Sequence, residues 1–297
     1  MTTNTLLIPT DGSETAEAAA RRGFDLADAL GASVHLLSVA DSSVATGTGY
    51  SGDSASVRER LRDRASARVA SLREVAADRG LEVTGGVREG IPAKEIVDCA
   101  DERRVDAVVV GTAGRGGVAR AIVGSVADKV VRTASVPVVT ITPTAAEHEG
   151  GFDSLLLPTD GSERATVGVA RGLDLADALG ASVHLLSVAD AAVEGGLATV
   201  SEGDDDAELA ARAEQRLESA TADARERGLE VVTTAATGDP AAVIVDHAEE
   251  ADLIAMGTAG RGGFERAVLG SVADEVVRTA TVPVLTVRSD GPIRAGD

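Results

Sequence analysis

Residues 23–41 read GFDLADALGASVHLLSVAD, and residues 172–190 read the same except for Leu173 in place of Phe24. The offset between the two copies is 149 residues there, 148 at GLEV (80–83 and 228–231) and 146 at GTAGRGG (111–117 and 257–263). A repeat of that length is the size of a domain, not of a solenoid unit. Two copies use up nearly all of the 297 residues. The chain therefore reads as one domain written twice: residues 1–143, a linker at 144–152, residues 153–288, and a tail at 289–297. The join, PTAAEHEGGF (143–152), is polar and carries the Pro, Gly and Glu expected of a connector.

Each copy alternates strand and helix. Leu6–Pro9 spells a short buried strand. Ser13 is placed to cap the helix that follows, and Glu14 and Glu17 fall in its first turn, where the helix dipole favours anions. Ala16, Ala20, Gly23, Ala27 and Leu30 recur at steps of four and three, which is one helical face, and Gly31 is placed to end it. Ser33–Val39 is the second strand, followed by a Ser/Gly-rich loop at 41–55. Leu61, Ala65, Val69, Leu72 and Ala76 mark a second amphipathic helix, stopped by Gly80. Strand 81–87, helix 92–102, strand 105–110, helix 125–134 and strand 137–142 complete the copy. Five strands joined by helical crossovers predict an α/β fold with an open parallel sheet covered on both faces, and the second copy predicts the same again.

Composition removes several function classes. With 48 acids against 28 bases the net charge is −20, which excludes a non-specific nucleic-acid binder, since such a protein needs a basic surface to displace counterions. An apolar share of 44% is too high for a disordered chain. No apolar run reaches the ~18–20 residues of a membrane span, and the opening MTTNTLLIPTDG has neither the charged region nor the long apolar stretch of a secretory signal. A cytoplasmic protein is the expectation. The single Cys99 rules out an internal disulfide and a cysteine-built zinc site. Lys94 and Lys129 are the only lysines; excess carboxylates with so little Lys suit a halophilic cytoplasm, where the screening length shrinks to ~3 Å near 1 M salt. A genome biased toward Arg and Ala codons would explain the missing Lys but not the acids.

In parallel sheets, ligands bind beyond the carboxyl ends of the strands where strand order reverses. Two segments of each copy fall at such ends. The first is Pro9-Thr10-Asp11-Gly12-Ser13, matched by Pro158-Thr159-Asp160-Gly161-Ser162. The second runs from Gly111 and Thr112 through Gly114, Arg115, Gly116 and Gly117 to Gly124, Ser125 and Val126. It is matched by Gly257, Thr258, Gly260, Arg261, Gly262, Gly263, Gly270, Ser271 and Val272. Glycines let a backbone approach a ligand and adopt positive φ. Arginine offers a fork to phosphate oxygens, and a helix opened by Gly-Ser presents free N–H groups to an anion. The loop is neither a Walker A sequence nor GxGxxG. A ligand-free Gly-rich turn is the plain alternative.

The spacing Gly111-x2-Gly114-x9-Gly124-Ser125, repeated as Gly257-x2-Gly260-x9-Gly270-Ser271, matches the G-2x-G-9x-G-[ST] motif of the universal stress protein family. The early Pro-Thr-Asp-Gly-Ser, the Val-Ala-Asp after strand two and the closing Val-Pro-Val also resemble that family. The resemblance covers both copies and implies a tandem member. It implies Rossmann-like sheets of strand order 3-2-1-4-5 and binding of ATP, or of ADP or AMP, with or without Mg²⁺. By position, the backbone at Val39 and Val188 would meet adenine, and Pro9, Asp11, Pro158 and Asp160 would line the nucleotide. Gly111 and Gly257 would approach the ribose. Gly114, Arg115, Gly116, Ser125 and Val126 would hold phosphates, as would Gly260, Arg261, Gly262, Ser271 and Val272. Asp11 and Asp160 face either Mg²⁺ or ribose hydroxyls, or else cap the following helix. Family members pair through their last strands, which implies an intramolecular pseudo-dimer through 137–142 and 283–287, with a homodimer left open.

Other residues carry less. His35 and His184 read as core or edge histidines, His148 falls in the linker, and His247 stands where the first copy has Asp98-Cys99-Ala100. Cys99 reads as a small buried residue. Arg120 and Arg266 read as exposed helix-entry arginines, and Arg132 and Arg278 as complements of a helix C-terminus. Asp204–Asp206 reads as a solvated acidic loop. No metal cluster and no catalytic constellation emerges. The copies diverge most at 42–57 and 191–206, which are long enough for lids or partner surfaces. The reading is a nucleotide-binding stress regulator or sensor with an unidentified protein partner. The alternatives are a slow ATPase, or a partner-binding protein of the same fold without a ligand.

Overall fold

The computed structural model describes residues 5–41, 54–112, 123–190, 204–258 and 269–288. The chain divides into two compact units between Glu147 and His148. The first runs β1 (Thr5–Pro9), α1 (Glu14–Leu30), β2 (Ser33–Asp41), α2 (Ser54–Asp78), β3 (Val83–Gly90), α3 (Pro92–Arg103), β4 (Ala107–Gly111), α4 (Ser125–Thr133), β5 (Val138–Ile141) and a short α5 (Pro143–Ala146). The second runs β6 (Ser154–Pro158), α6 (Glu163–Leu179), β7 (Ser182–Ala189), α7 (Asp204–Glu226), β8 (Val231–Thr237), α8 (Pro240–His247) with a 3₁₀ turn at Ala248–Glu250, β9 (Leu253–Gly257), α9 (Ser271–Thr279) and β10 (Val284–Val287).

Every strand pair within a unit is parallel. β1 pairs with β2 and β4, β2 with β3, and β4 with β5, so the order is β3-β2-β1-β4-β5. The second unit repeats it as β8-β7-β6-β9-β10. The inner strands are covered on both faces, which is why they are continuous apolar runs: Leu6, Leu7, Ile8, Val108 and Val109 are all at most 1% exposed. The first connection leaves β1 toward β2, and the later one arrives beside β1 at β4. The order therefore reverses between β1 and β4, and the crevice beyond their carboxyl ends is where such sheets bind ligands.

Local chemistry sets the helix ends. Ser13 Oγ accepts from Ala16 N–H at 3.2 Å, and Gly31 closes α1 at φ +60°. Ser162 and Gly180 do the same for α6. Ser13→Ala is expected to cost about 1 kcal/mol and Ser13→Gly only a few tenths. A lower urea midpoint at unchanged slope checks this.

Several boundaries differ from the sequence expectation. β3 ends at Gly90 instead of 87, and α3 extends to Arg103. α2 begins at Ser54 and α7 at Asp204, so both divergent segments are shorter than expected. Asp204–Asp206 are the opening turn of α7, not a loop. The join begins as structure: Thr142 caps Ala145 N–H at 3.0 Å and Ala145 is fully buried, so residues 143–146 belong to the first unit.

Candidate functional site

The β1–α1 turn is held by three successive side-chain brackets. Thr10 Oγ1 accepts from Gly12 N–H at 3.1 Å, Asp11 Oδ1 from Ser13 N–H at 2.9 Å, and Ser13 Oγ from Ala16 N–H. Thr10 N–H donates to Leu37 O, and Ser38 Oγ to Thr10 O at 2.9 Å, tying the turn to β2. Gly12 sits at φ +76°, a conformation that a side chain would strain. The second unit reproduces the device: Thr159 Oγ1 accepts from Gly161 N–H, Asp160 Oδ1 from Ser162 N–H, and Gly161 is at φ +73°. Asp11 and Asp160 thus bracket their own turns. Pro9 and Pro158 end the first strands, and Val39 and Val188 lie at the same end of the neighbouring β2 and β7.

The second segment leaves the carboxyl end of β4. Thr112 N–H donates to Ile141 O at 2.9 Å, and Thr112 O accepts from Gly124 N–H. Thr258 repeats both bonds, to Val287 O at 3.0 Å and from Gly270 N–H at 2.8 Å. These bonds pinch the two ends of the loop together and hold the start of α4, and of α9, directly beyond the sheet. Gly124 and Gly270 occupy the N-cap positions and, being glycines, bring no side chain to cap the first turn. Ser13, Ser162, Thr142 and Asp239 all cap their helices. Ser125 and Ser271 are exposed at that opening, with Val126 and Val272 half-buried behind them. The backbone donors there suit an anion. Gly114, Arg115, Gly116, Gly117 and Arg120, with Gly260, Arg261, Gly262, Gly263 and Arg266, lie outside the described residues.

One glycine expectation needs correction. Gly111 and Gly257 are not at positive φ. Gly111 instead admits α1, and Gly257 admits α6. A Cβ on Gly111 would lie 3.2 Å from Thr15 O and from Ala19 Cβ, and one on Gly257 would lie 2.5 Å from Arg164 O.

The sequence reading missed one pair of residues. Arg68 of α2 runs over the Gly12 backbone, its Nε 2.7 Å from where a Cβ would sit, and Arg216 of α7 covers Gly161 with its Cγ at 3.0 Å. The available signal was that Arg recurs at 68 and 216 while its neighbours Ser66, Ala67 and Val69 become Glu214, Gln215 and Leu217.

The remaining candidates are structural. His35 is buried, with Nδ1 2.8 Å from Thr84 Oγ1. Burial, then Arg103 and Arg88, lower its pKa to about 4. His184 Nε2 meets Thr234 Oγ1 at 2.9 Å, its ring lies 5.6 Å from that of His247, and burial lowers its pKa. His148 pairs with Asp252 at 3.1 Å. Cys99 is buried, which raises its thiol pKa. Arg132 and Arg278 bond Asp128 and Asp274 one turn back. Among the described residues, no group of His, Cys, Asp and Glu could hold a metal ion, and no helix is long and apolar enough to cross a membrane.

A doubled parallel α/β unit with a pinched glycine loop at its switch point defines a class, and comparison with known proteins names it. The model of the universal stress protein family matches residues 2–142 and again 151–288, so the chain belongs to the universal stress protein family. A universal stress protein of Mycolicibacterium smegmatis is 29% identical over 243 residues, 79% of this chain and 80% of that protein. One from Mycobacterium tuberculosis is 32% identical over 220 residues, 72% of each chain. The crystal structure of a universal stress protein from Archaeoglobus fulgidus shares the fold, with a TM-score of 0.67 and 24% identity over 96% of both chains.

Proposed function

We propose that each unit binds an adenine nucleotide, ATP or its di- or monophosphate, and that the chain acts in the cytoplasm as a nucleotide-dependent regulator or sensor of stress. The observation that carries this reading is the twofold closure of Thr112 on Gly124 and of Thr258 on Gly270. It holds a helix start without a side-chain cap at each switch point, in a chain that keeps the family's glycine spacing twice. Adenine lies against Val39 or Val188 and the ribose beside Asp11 or Asp160. The phosphates meet the glycine–arginine loop and Ser125–Val126 or Ser271–Val272, with or without Mg²⁺. The commitment of Asp11 and Asp160 to their own turns favours binding over hydrolysis, since neither is left as an evident orienter of an attacking water. The acid excess and scarce Lys favour work in concentrated salt.

Ligand at 100 times its Kd stabilises a fold by about 2.7 kcal/mol. ATP is therefore expected to raise the melting temperature in concentrated KCl, and Gly114→Val with Gly260→Val to abolish the rise. No shift with ATP, ADP or AMP would overturn the reading. A double variant that loses nucleotide but keeps a captured protein partner would separate partner docking from nucleotide binding.

A further inference from the structure

The second unit carries a groove of about 750 Å³ between α6 and α7. That is within the ~300–1,000 Å³ range of small-molecule sites. Val169, Ala170 and Ala220 give it apolar surface, and Arg212, Arg216 and Thr159 line its polar side. Comparison of the two copies explains the open space. Where the second unit has Ala220, the first has Leu72, 2% exposed. Where the second has Thr166 and Ala170, the first has Glu17 and Arg21, an ion pair at 3.7 Å. The second unit has thus lost a leucine and a charged pair along this seam. It has kept both arginines, which match Arg64 and Arg68.

The charges left in the groove favour an anion. Asp223 also lines it, but Arg227 holds that carboxylate in a two-pronged contact at 2.8 and 3.2 Å. Arg212 and Arg216 stand one helical turn apart. Each already has a polar contact within the chain, so an incoming anion shares their ten N–H donors. Thr159 Oγ1 accepts from Gly161 N–H and keeps its own proton to donate.

We propose that this groove is a second ligand site, specific to the second unit, for a small organic phosphate. Its apolar body packs on Val169, Ala170 and Ala220, and its phosphate is held by Arg212 and Arg216. Two guanidinium forks and a hydroxyl offer more donors than the two oxygens of a carboxylate use, whereas a phosphomonoester has three terminal oxygens to fill. Thr159 and Gly161 belong to the β6–α6 turn, so the groove shares a wall with the proposed nucleotide site but does not depend on it.

The test is a titration of the full chain with phenyl phosphate, followed by amide chemical shifts in the Gly114→Val, Gly260→Val background so that the glycine loops cannot be the receptor. Shifts confined to Thr159, Val169, Ala220 and their neighbours are expected. Inorganic phosphate and benzoate should each bind at least tenfold more weakly. Ala220→Leu installs the side chain that the first unit accommodates at Leu72, and it should weaken phenyl phosphate at least tenfold while leaving the ATP response of the unmodified loops unchanged. Arg216→Gln and Arg212→Gln serve as second variants should Ala220→Leu fail to fold. Unchanged binding in these variants, equal binding of inorganic phosphate as an adventitious ion only, or equal binding of benzoate would each overturn the proposal. Loss of ATP binding alone would count against the nucleotide reading and leave this one standing.

Discussion

Gly168→Val is expected to unfold the second unit at a temperature lower by about 10 °C or more while leaving the first unit's transition in place. A Cβ on Gly168 would lie 2.2 Å from Gly257 N and 2.6 Å from Met256 C. Those are backbone atoms of β9, paired on either side to β6 and β10, and they cannot swing away as a side-chain tip would. Forcing a branched side chain between α6 and β9 either lifts the helix from the sheet or displaces the strand. An over-packed core site of this kind costs roughly 3 kcal/mol. At 2–4 °C per kcal/mol for a unit of this size, the shift is about 10 °C. Gly168→Ala is expected to cost less. The first unit has Ala19 at this position, with 3.2 Å between its Cβ and the place a Gly111 Cβ would occupy, so the two copies solve the same contact at different spacings. Calorimetry resolves the outcome, and a variant melting like the parent would show that the helix does not press on the strand as described.

Acid is expected to weaken the first unit between pH 6.5 and about 4, by about 3 kcal/mol in total. The cause is His35. In the unfolded chain it takes up a proton near pH 6.5. In the folded unit burial, with Arg103 and Arg88 nearby, delays protonation to about pH 4. The unfolded state therefore binds more protons throughout that window, and stability falls as pH falls. The contribution is fully present above pH 6.5 and is exhausted below about pH 4, where both states are charged. His35→Gln, which keeps a donor for Thr84, should flatten this part of the first unit's stability profile. Urea midpoints between pH 7 and 4 check it, and a profile unchanged by the substitution would remove His35 as the cause.

Much of this molecule was legible in its residues. The caps at Ser13 and Ser162, the stops at Gly31 and Gly180, and the alternation of buried strand and amphipathic helix each depend on neighbours within a few positions. The cap at Ser13 and the stop at Gly31 were read at the correct residue, whereas the ends of several strands and helices were not. The start of α7 was missed because acids over 204–206 suit a solvated loop and a first helical turn alike. The helix at 143–146 was missed because Pro at a first turn and Pro in a connector look the same without the Thr142 cap in view. In the candidate site, the turn at Pro9–Ser13 and the Gly-Ser helix start were visible as chemistry. The arginine above Gly12 was not, since Arg68 lies more than fifty residues away in sequence.

The order of elements, the duplication and the parallel class of the sheets follow from the sequence alone, because hydrophobic period and turn chemistry are short-range properties. Only the tertiary structure decided that Gly111 and Gly257 make room for a helix, that Asp11 and Asp160 close their own turns, and that Ala220 opens a groove where Leu72 fills one. Each of these depends on how near one helix comes to a strand or to another helix. That separation is set by the sum of many packed side chains, and no local pattern records it.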